Sequence, residues 1–170
     1  PRFSPINLSQ EIDISVQDLL KKGLSVHEVN TGLLKKLAPD LIITQAQCEA
    51  CAVSLNDVKE AVSDWVGNKP DIVSLEPNYL DEVWSDFERV GKKLKCTDSY
   101  LKFKSEIEQR LEKLKQKSQQ LIKRPSVVCV EWIDPLMIAA NWVPELVDIA
   151  GGINLLSKPG SHSHIFKWEE

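Results

Sequence analysis

The 170-residue chain lacks several patterns that would mark a particular class of protein. It has no apolar run near the roughly 20 residues that a membrane-spanning helix needs, so we expect no transmembrane segment in this chain. Its net charge of −4 includes no basic block, which argues against nucleic acid and against an anionic lipid surface as partners. Internal repeats and low-complexity segments are also absent from the sequence.

Cysteine is scarce, and its distribution is uneven. The four cysteines fall into a close pair, Cys48 and Cys51, and two isolated residues, Cys96 and Cys129. This pattern is not a disulfide framework for a chain of this length, so the redox compartment stays open. The first residue is proline rather than Met, and no cationic and apolar leader follows it. We interpret this as a native start removed by processing or truncation.

The sequence contains no recognisable catalytic motif. It has no nucleophile beside a base, no Gly-rich phosphate loop and no paired carboxylates in a plausible arrangement. Gly151 and Gly152 lack the GxGxxG spacing and follow a predicted helix rather than a strand, so we interpret them as a helix stop. We therefore expect that the protein is not an enzyme and uses no catalytic cofactor.

The hydrophobic period in the first half of the chain alternates between helix and strand. Short helices are predicted at 12–22 and 31–37, and the β-branched run Leu41–Thr44 is predicted to be a buried strand. A helix from about Leu55 to Val66 leads to a second apolar run, Ile72–Leu75. Strand, helix and strand separated by about 30 residues indicate a βαβ unit with parallel strands.

A long amphipathic helix is predicted over Thr97–Lys123, after a shorter one over Leu80–Lys93. Its apolar residues recur at steps of three, four or seven: Tyr100, Phe103, Ile107, Leu111, Leu114 and Leu121. At 1.5 Å per residue this helix would be about 40 Å long. Such spacing also fits a coiled coil or interface helix, through which the protein would form a dimer. Because the helix leads directly into the apolar run Val127–Val130, we favour a brace between two α/β regions.

The rest of the chain completes a second α/β region. We predict a loop over Glu131–Asn141, a helix over Val143–Ala150, and a polar tail that ends as another helix begins. The predicted organisation is an N-terminal α/β lobe at 1–96, a bridging helix at 97–123 and a C-terminal α/β lobe at 124–170. Both lobes are expected to be incomplete.

Cys48 and Cys51 follow the carboxyl end of the strand predicted at Leu41–Gln45. Ligands of open parallel sheets bind at such strand ends. The pair fits a structural or loop-disulfide role, contact with a ligand or soft metal, or redox chemistry. One CxxC supplies only half of a tetrahedral zinc site, so the three interpretations stay open.

Two further groups of residues are candidates for ligand contact. His162 and His164 would present two imidazoles on one side of an extended segment, which suits metal or cobalt ligation, although exposed His-x-His pairs are usually solvated. Trp132, Asp134 and Trp142 surround the end of the second predicted strand region. Indole rings with few polar groups are typical of a pocket for a large planar ligand, but these tryptophans also fit a core.

The sequence resembles the periplasmic-binding family of ABC importers for iron siderophores and cobalamin, and within it the cobalamin-binding branch. The similarity runs from about residue 11 to residue 170. The segments that carry it, in this order, are Pro39–Gln45, Cys48–Ser54, Val130–Leu136 and Asn141–Gly152. The resemblance implies an α/β fold of two Rossmann-like lobes with parallel sheets, joined by a long backbone helix that matches Thr97–Lys123.

The resemblance also implies which residues contact partners. A corrinoid or ferric chelate would lie in the cleft between the lobes, against the residues Gln45, Cys48, Cys51, Trp132, Asp134, Trp142, His162 and His164. The cysteine pair and the histidine pair are the candidate metal ligands. Glu169 matches the second-lobe acid that docks an arginine of the permease, and Glu60 is the nearest match in the first lobe.

We therefore predict the substrate-binding component of an ABC importer, which captures a metal chelate such as cobalamin or a ferric siderophore and delivers it to the permease. The expected location is periplasmic or extracytoplasmic, with a membrane anchor or a cytoplasmic location left open. The chain departs from the family in being short. The alternative is a metal- or redox-active intracellular protein that uses Cys48, Cys51, His162 and His164.

Overall fold

A computed structural model describes residues 1–2, 9–22, 26–47, 53, 55–65 and 69–169. The chain divides into two compact units, Pro1–Glu76 and Pro77–Glu170. The division predicted from the sequence, with a lobe ending at 96 and a separate bridging helix, stays a prediction. Across the described ranges, no helix is both long and apolar enough to cross a membrane.

The first unit contains the predicted βαβ arrangement. Its elements are α1 Ser9–Lys21, α2 Thr31–Leu37, β1 Leu41–Gln45, α3 Leu55–Ala61 and β2 Asp71–Leu75. The two strands pair in parallel, with Ile43 opposite Val73. Local signals set these elements, since the side chain of Asn30 caps α2 by accepting a hydrogen bond from the Leu33 amide at 2.9 Å.

Two details of the first unit differ from the sequence-based expectation. Ile43 is 46% exposed whereas Val73 is 6% exposed, so β1 is not covered on both faces. In the described part of the chain this sheet has two strands, and the cover that helices give to the faces of a parallel sheet is incomplete over β1. Helix α3 ends at Ala61 rather than near Val66, because the amides of Ser63 and Trp65 bond to carbonyls three residues earlier, as turns do.

The second unit begins with two packed helices, α4 Leu80–Lys93 and α5 Thr97–Ser118. Tyr100 of α5 is buried against Gly91 of α4, and its hydroxyl donates a hydrogen bond to the Trp84 carbonyl at 3.2 Å. The absence of a side chain at Gly91 allows this close approach, since a Cβ there would lie 3.0 Å from Tyr100 Cβ.

Helix α5 is shorter than predicted, because its last turns change their hydrogen bonding. The amides of Gln120 and Leu121 bond to carbonyls three residues earlier, so the α-helix ends at Ser118 rather than Lys123. Leu114 is 51% exposed on this helix. Dimerisation through α5 stays a prediction, which sedimentation of the wild type and of a Leu114→Lys variant would test.

The remaining elements of the second unit are β3 Ser126–Val127, β4 Val130–Ile133, β5 Leu136–Ile138, α6 Val143–Ile149, β6 Ile153–Asn154 and β7 His164–Ile165. Strand β3 pairs in parallel with β6, while β4, β5 and β7 form an antiparallel sheet. The predicted single strand at 127–130 was therefore wrong, since it divides between two sheets. The loop predicted at 131–141 was also wrong, because it contains most of a β-hairpin that turns at Asp134 and Pro135.

The core of the second unit lies under β5 and α6. Ile138 is 1% exposed, and Ala140 and Val147 are also buried. The end of α6 is closed by Arg124, whose guanidinium donates to the carbonyls of Gly151 and Gly152 and pairs with Asp148 at 2.6 Å. Gly151 has a φ of +88°, which suits the predicted helix stop.

Candidate ligand-binding site

In the first unit, the polar residues that end the two strands define one candidate region. Gln45 is the exposed last residue of β1, and its side-chain amide donates to Gln47 Oε1 at 3.4 Å. At the end of β2, Ser74 Oγ donates to Glu76 Oε1 at 2.8 Å. Because the strands are parallel, these groups occupy the same edge of the sheet, where ligands of such sheets bind.

The loop after β1 is attached to the strand by Thr44. Its hydroxyl donates to the carbonyl of Val53 at 2.9 Å, across the segment that holds the CxxC pair. Cys48 and Cys51 themselves lie outside the described residues. Thr44 and Glu76 were not predicted as site residues, although a polar residue at the end of an apolar run is a signal for both.

In the second unit, one antiparallel ribbon brings distant predicted residues together. Segments 136–141 and 160–166 pair along their length, with Met137 opposite Ile165 and Ile138 opposite His164. The pairing continues at both ends through the hydrogen bonds Phe166 N to Leu136 O, Asn141 N to Ser161 O and Gly160 N to Asn141 O, at 2.9, 2.7 and 3.0 Å. Trp142 consequently lies beside the segment that carries the two histidines.

The two histidines lie on the face of the ribbon that includes Ile138. Residues directly opposite in a sheet share a face, and so do residues two apart in a strand, which places His164 and His162 together on this face. Both imidazoles are exposed. The ring of Phe166 lies edge-on to His164, with ring centroids 6.5 Å apart. This histidine face presents two imidazoles and an aromatic ring in one row.

The opposite face of the sheet carries an apolar row that crosses all three strands. Trp132, Met137 and Ile165 are successive cross-strand partners, and we refer to them as the Trp132 row. Trp132 is 37% exposed and Ile165 is 63% exposed. The indole Nε1 donates to the carbonyl of Asp134 at 3.0 Å, which restricts the orientation of the ring.

An acidic side chain borders the Trp132 row. Glu131 occupies a register shift between Val130 and Trp132, typical of a β-bulge, and its carboxylate accepts a hydrogen bond from Ser163 Oγ. Ser163 is two residues before Ile165 and shares its face by strand alternation. Glu131 was not among the predicted ligand contacts, because a segment predicted to be a loop has no face to which a residue can be assigned.

Trp142 is half-buried at the start of α6, directly after Asn141. Asn141 adopts a left-handed conformation with a φ of +51°, held by its main-chain hydrogen bonds to Ser161 and Gly160. Its side-chain Oδ1 is buried, with no hydrogen-bond partner among the described residues. This turn connects the ribbon to α6 and fixes the main chain directly before Trp142.

The roles predicted for the metal ligands and for the docking acids stay predictions. Within the described ranges, no group of three or more His, Cys, Asp or Glu side chains could hold a metal ion. Asp134 is exposed in the β4–β5 turn. Glu60 is exposed on α3 of the first unit, and Glu169 is exposed near the end of the second. Their role in permease docking stays a prediction.

Solved structures share this fold at low sequence identity. A heme-complexed IsdE of Staphylococcus aureus has a TM-score of 0.62 and 15% identity over 84% of this chain and 53% of its own. The vitamin B12 binding protein BtuF of Vibrio cholerae has a TM-score of 0.60 and 18% identity over 84% and 54%. The heme-binding protein RhuT of Roseiflexus has a TM-score of 0.57 and 20% identity over 75% and 48%.

The family comparison covers nearly the whole sequence, although no curated protein matches the chain. The chain spans about half the length of the solved proteins to which it is similar. A family model described as periplasmic binding protein matches residues 5–170. The α/β fold and the family predicted from the sequence are both confirmed, and the chain belongs to the periplasmic binding protein family.

Proposed function

We propose that this chain is part of the substrate-binding component of an ABC importer that captures a metal chelate outside the cytoplasm and delivers it to a permease. The proposed ligand is a corrinoid, a heme or a ferric siderophore, and the protein transports it without chemical change. Support comes from the family and from similar structures whose names include vitamin B12 and heme binding. The fold alone does not determine the ligand, so the proposal depends on the residues of the candidate site.

The Trp132 row is the observation that carries the proposal. An exposed indole, a half-buried thioether and an exposed branched aliphatic side chain form an apolar strip across a β-sheet. Soluble proteins seldom leave such side chains together without a binding role. The anchored indole of Trp132 offers a flat surface that suits stacking against a macrocycle or an aromatic chelator.

The histidine face supports a ligand that contains a metal. A neutral imidazole is a good ligand for iron and cobalt, and His162 and His164 both have exposed rings. Because this face lies on the other side of the sheet from the Trp132 row, the two faces are alternative surfaces for the chelate. On the histidine face, either imidazole could complete the coordination of a metal already held by a chelator. Cys48 and Cys51 are also proposed ligand contacts.

Direct titration tests the proposal. We expect cyanocobalamin, hemin or a ferric hydroxamate siderophore to bind, with a change in chelate absorbance or in calorimetric heat. Trp132→Ala should weaken binding about tenfold, as expected for the loss of a stacked aromatic ring. The matched control is Phe103→Ala, since Phe103 is 41% exposed in the same unit and Trp132 is 37% exposed.

The histidines have a matched control in the third histidine of the chain, His27, which lies in the first unit. His162→Ala or His164→Ala should alter the absorbance of a bound heme or cobalamin, whereas His27→Ala should not. Tight zinc binding in the absence of any chelate binding would contradict the proposal. That result would instead support an intracellular metal-binding or redox protein.

Permease docking is tested separately from ligand capture. We expect Glu60→Lys and Glu169→Lys to reduce stimulation of the permease ATPase, because each reverses a charge proposed to pair with a permease arginine. Both acids are exposed and neither lies in the Trp132 row, so chelate affinity should stay unchanged. Equal stimulation by wild type and both variants would remove these acids from the docking surface.

A further inference from the structure

The residues that begin α4 contact two parts of the candidate site in the second unit. The ring of Tyr79 packs on Gly160, so closely that a Cβ at Gly160 would lie 2.1 Å from Tyr79 Cζ. The next amide, of Leu80, donates to Glu145 Oε2 at 2.8 Å in a partly buried position. One short segment is thus attached to both the histidine-bearing ribbon and the start of α6.

The segment is held in place by its own helix. The carboxylate of Glu82 accepts hydrogen bonds from the amides of Asn78 and Tyr79 at 2.7 and 3.2 Å. These bonds occupy donors that an α-helix leaves without internal partners. The main chain that carries Tyr79 is therefore held by α4 itself, and the ring packs on the ribbon from this position.

The contact with Gly160 reaches the histidines through two main-chain bonds. Gly160 has a φ of +77°, and its amide donates to the carbonyl of Asn141, whose own amide donates to Ser161. His162 follows Ser161 in the chain, and Trp142 follows Asn141. Displacement of Gly160 would consequently move both predicted ligand contacts.

The hydrogen bond to Glu145 attaches the start of α6 to the same end of α4. Glu145 lies in the first turn of α6, three residues after Trp142, and its carboxylate caps the amino end of α4. A carboxylate at this end of a helix is stabilised by the free amides and by the helix dipole. The bond therefore restricts how α6 and Trp142 can move relative to α4.

We propose that Tyr79 and Glu145 are positioning residues that hold Trp142 and the histidine face in one arrangement against the amino end of α4. Neither residue belongs to the predicted ligand-binding set. The inference rests on the proposed function, since it assigns a role within the same site. It extends that function by identifying two residues that align Trp142 and the histidines for ligand contact.

The first test replaces Tyr79 and follows the imidazoles directly. The chain has three histidines, so their side-chain NMR signals can be assigned individually, and His27 in the first unit serves as an internal reference. We expect Tyr79→Ala to shift the signals of His162 and His164 and to weaken chelate binding about tenfold. Tyr79→Phe keeps the ring and should retain the wild-type signals and affinity.

A double-mutant cycle separates positioning from general loss of structure. Gly160→Ala should weaken binding because the new Cβ meets the Tyr79 ring. In a Tyr79→Ala background that ring is gone, so Gly160→Ala should cause a smaller further loss. Additive effects on affinity would overturn the proposal, because independent sites add and contacting sites do not.

Glu145 and a structural control complete the test. Glu145→Ala should shift the NMR signals of His162 and His164. Glu145→Gln keeps a hydrogen-bond acceptor and should retain the wild-type signals. Arg124→Ala removes the hydrogen bonds at the other end of α6 and should leave the histidine signals in place. Equal shifts in the Arg124 and Tyr79 variants would contradict the proposal.

The two hypotheses fail in different ways. If the wild-type protein binds no chelate, the proposed function fails, while the NMR signals still report whether Tyr79 positions the histidines. If the wild type binds and Tyr79→Ala changes neither affinity nor signals, the positioning role is wrong and the proposed function stands.

Discussion

The two units of the chain form their cores in different ways. In the described part of the first unit, the buried apolar residues other than proline and glycine are Val58, Val62 and Val73, from a βαβ segment and its immediate surroundings. In the second unit they are Tyr100, Leu136, Ile138, Ala140 and Val147, from elements far apart in sequence. A local supersecondary unit thus organises the first, whereas long-range pairing organises the second.

The difference extends to individual helices. Helix α2 of the first unit buries no residue, and Leu37 on it is 67% exposed. Helix α6 of the second unit has the same length but buries Pro144 and Val147 and is closed by Arg124. Short helices are marginal alone, so α2 depends on its cap while α6 depends on packing.

The largest expected effect contrasts the two cores. Ile138→Ala should destabilise the second unit by about 3 kcal/mol, because Ile138 is 1% exposed and the substitution leaves a cavity. Val58→Ala in the first unit should cost about 2 kcal/mol, since fewer methyl groups are removed. Hydrogen exchange of peptides from each unit measures both. Equal loss of protection in the two units after Ile138→Ala would contradict separate cores.

Glycine substitutions should have opposite signs in the two units. A Cβ at Gly152 would lie 2.8 Å from Val127 Cγ2 and 2.9 Å from Val147 Cγ1, so Gly152→Ala should destabilise the protein by about 2 kcal/mol. A Cβ at Gly32 meets only Asn30 Oδ1 at 3.7 Å, so Gly32→Ala should stabilise α2 by about 0.5–1 kcal/mol. Urea denaturation of both variants measures the change in the free energy of unfolding. Changes of the same sign in the two variants would contradict this expectation.

The cap of α2 should have a smaller effect that stays within the first unit. Asn30→Ala removes the hydrogen bond from the Leu33 amide and should cost about 1 kcal/mol. Asn30→Asp keeps an acceptor and serves as the control. Faster hydrogen exchange is expected at 31–37 and not in α6, and a change in α6 alone would show that the units are coupled.

The smallest expected effect concerns ion pairs on exposed helices. Lys92 Nζ lies 2.6 Å from Glu88 Oε1. The hydrogen bond and the charge interaction between them lower the pKa of Glu88 below its usual 4.5 and raise the pKa of Lys92 above its usual 10.5. The contribution of Glu88 to the free energy of unfolding is therefore present above pH 4.5 and is lost as pH falls through the lowered pKa. That of Lys92 is present below pH 10.5 and is lost as pH rises through the raised pKa.

Glu88→Gln should accordingly change the thermal midpoint at pH 7 by little more than experimental error, because exposed pairs are screened by solvent. Asp18→Asn, which removes the similar Asp18–Lys22 pair of the first unit, should behave alike. A large shift for either variant at pH 7, or a difference between wild type and Glu88→Gln that grows in acid, would contradict this expectation.

Much of the candidate site could be selected from residue chemistry alone. Trp132, Trp142, His162 and His164 were predicted because indoles and imidazoles near strand ends suit a planar metal chelate. The placement of Trp132 and the two histidines on opposite faces of one sheet could not be predicted, since the pairing of 136–141 with 160–166 spans a sequence gap that contains α6. Glu131, Tyr79 and Glu145 were missed because only their tertiary neighbours identify them.

The sequence by itself determined the helices α2 and α4, the parallel βαβ of the first unit and the family. These features depend on hydrophobic period, caps and segments close in the chain, which are all local. Only the tertiary structure decided how the run near Val127 divides between two sheets and where 131–141 forms its hairpin. The physical reason is that strand register depends on which distant partner is available, and a one-residue change exchanges the two faces.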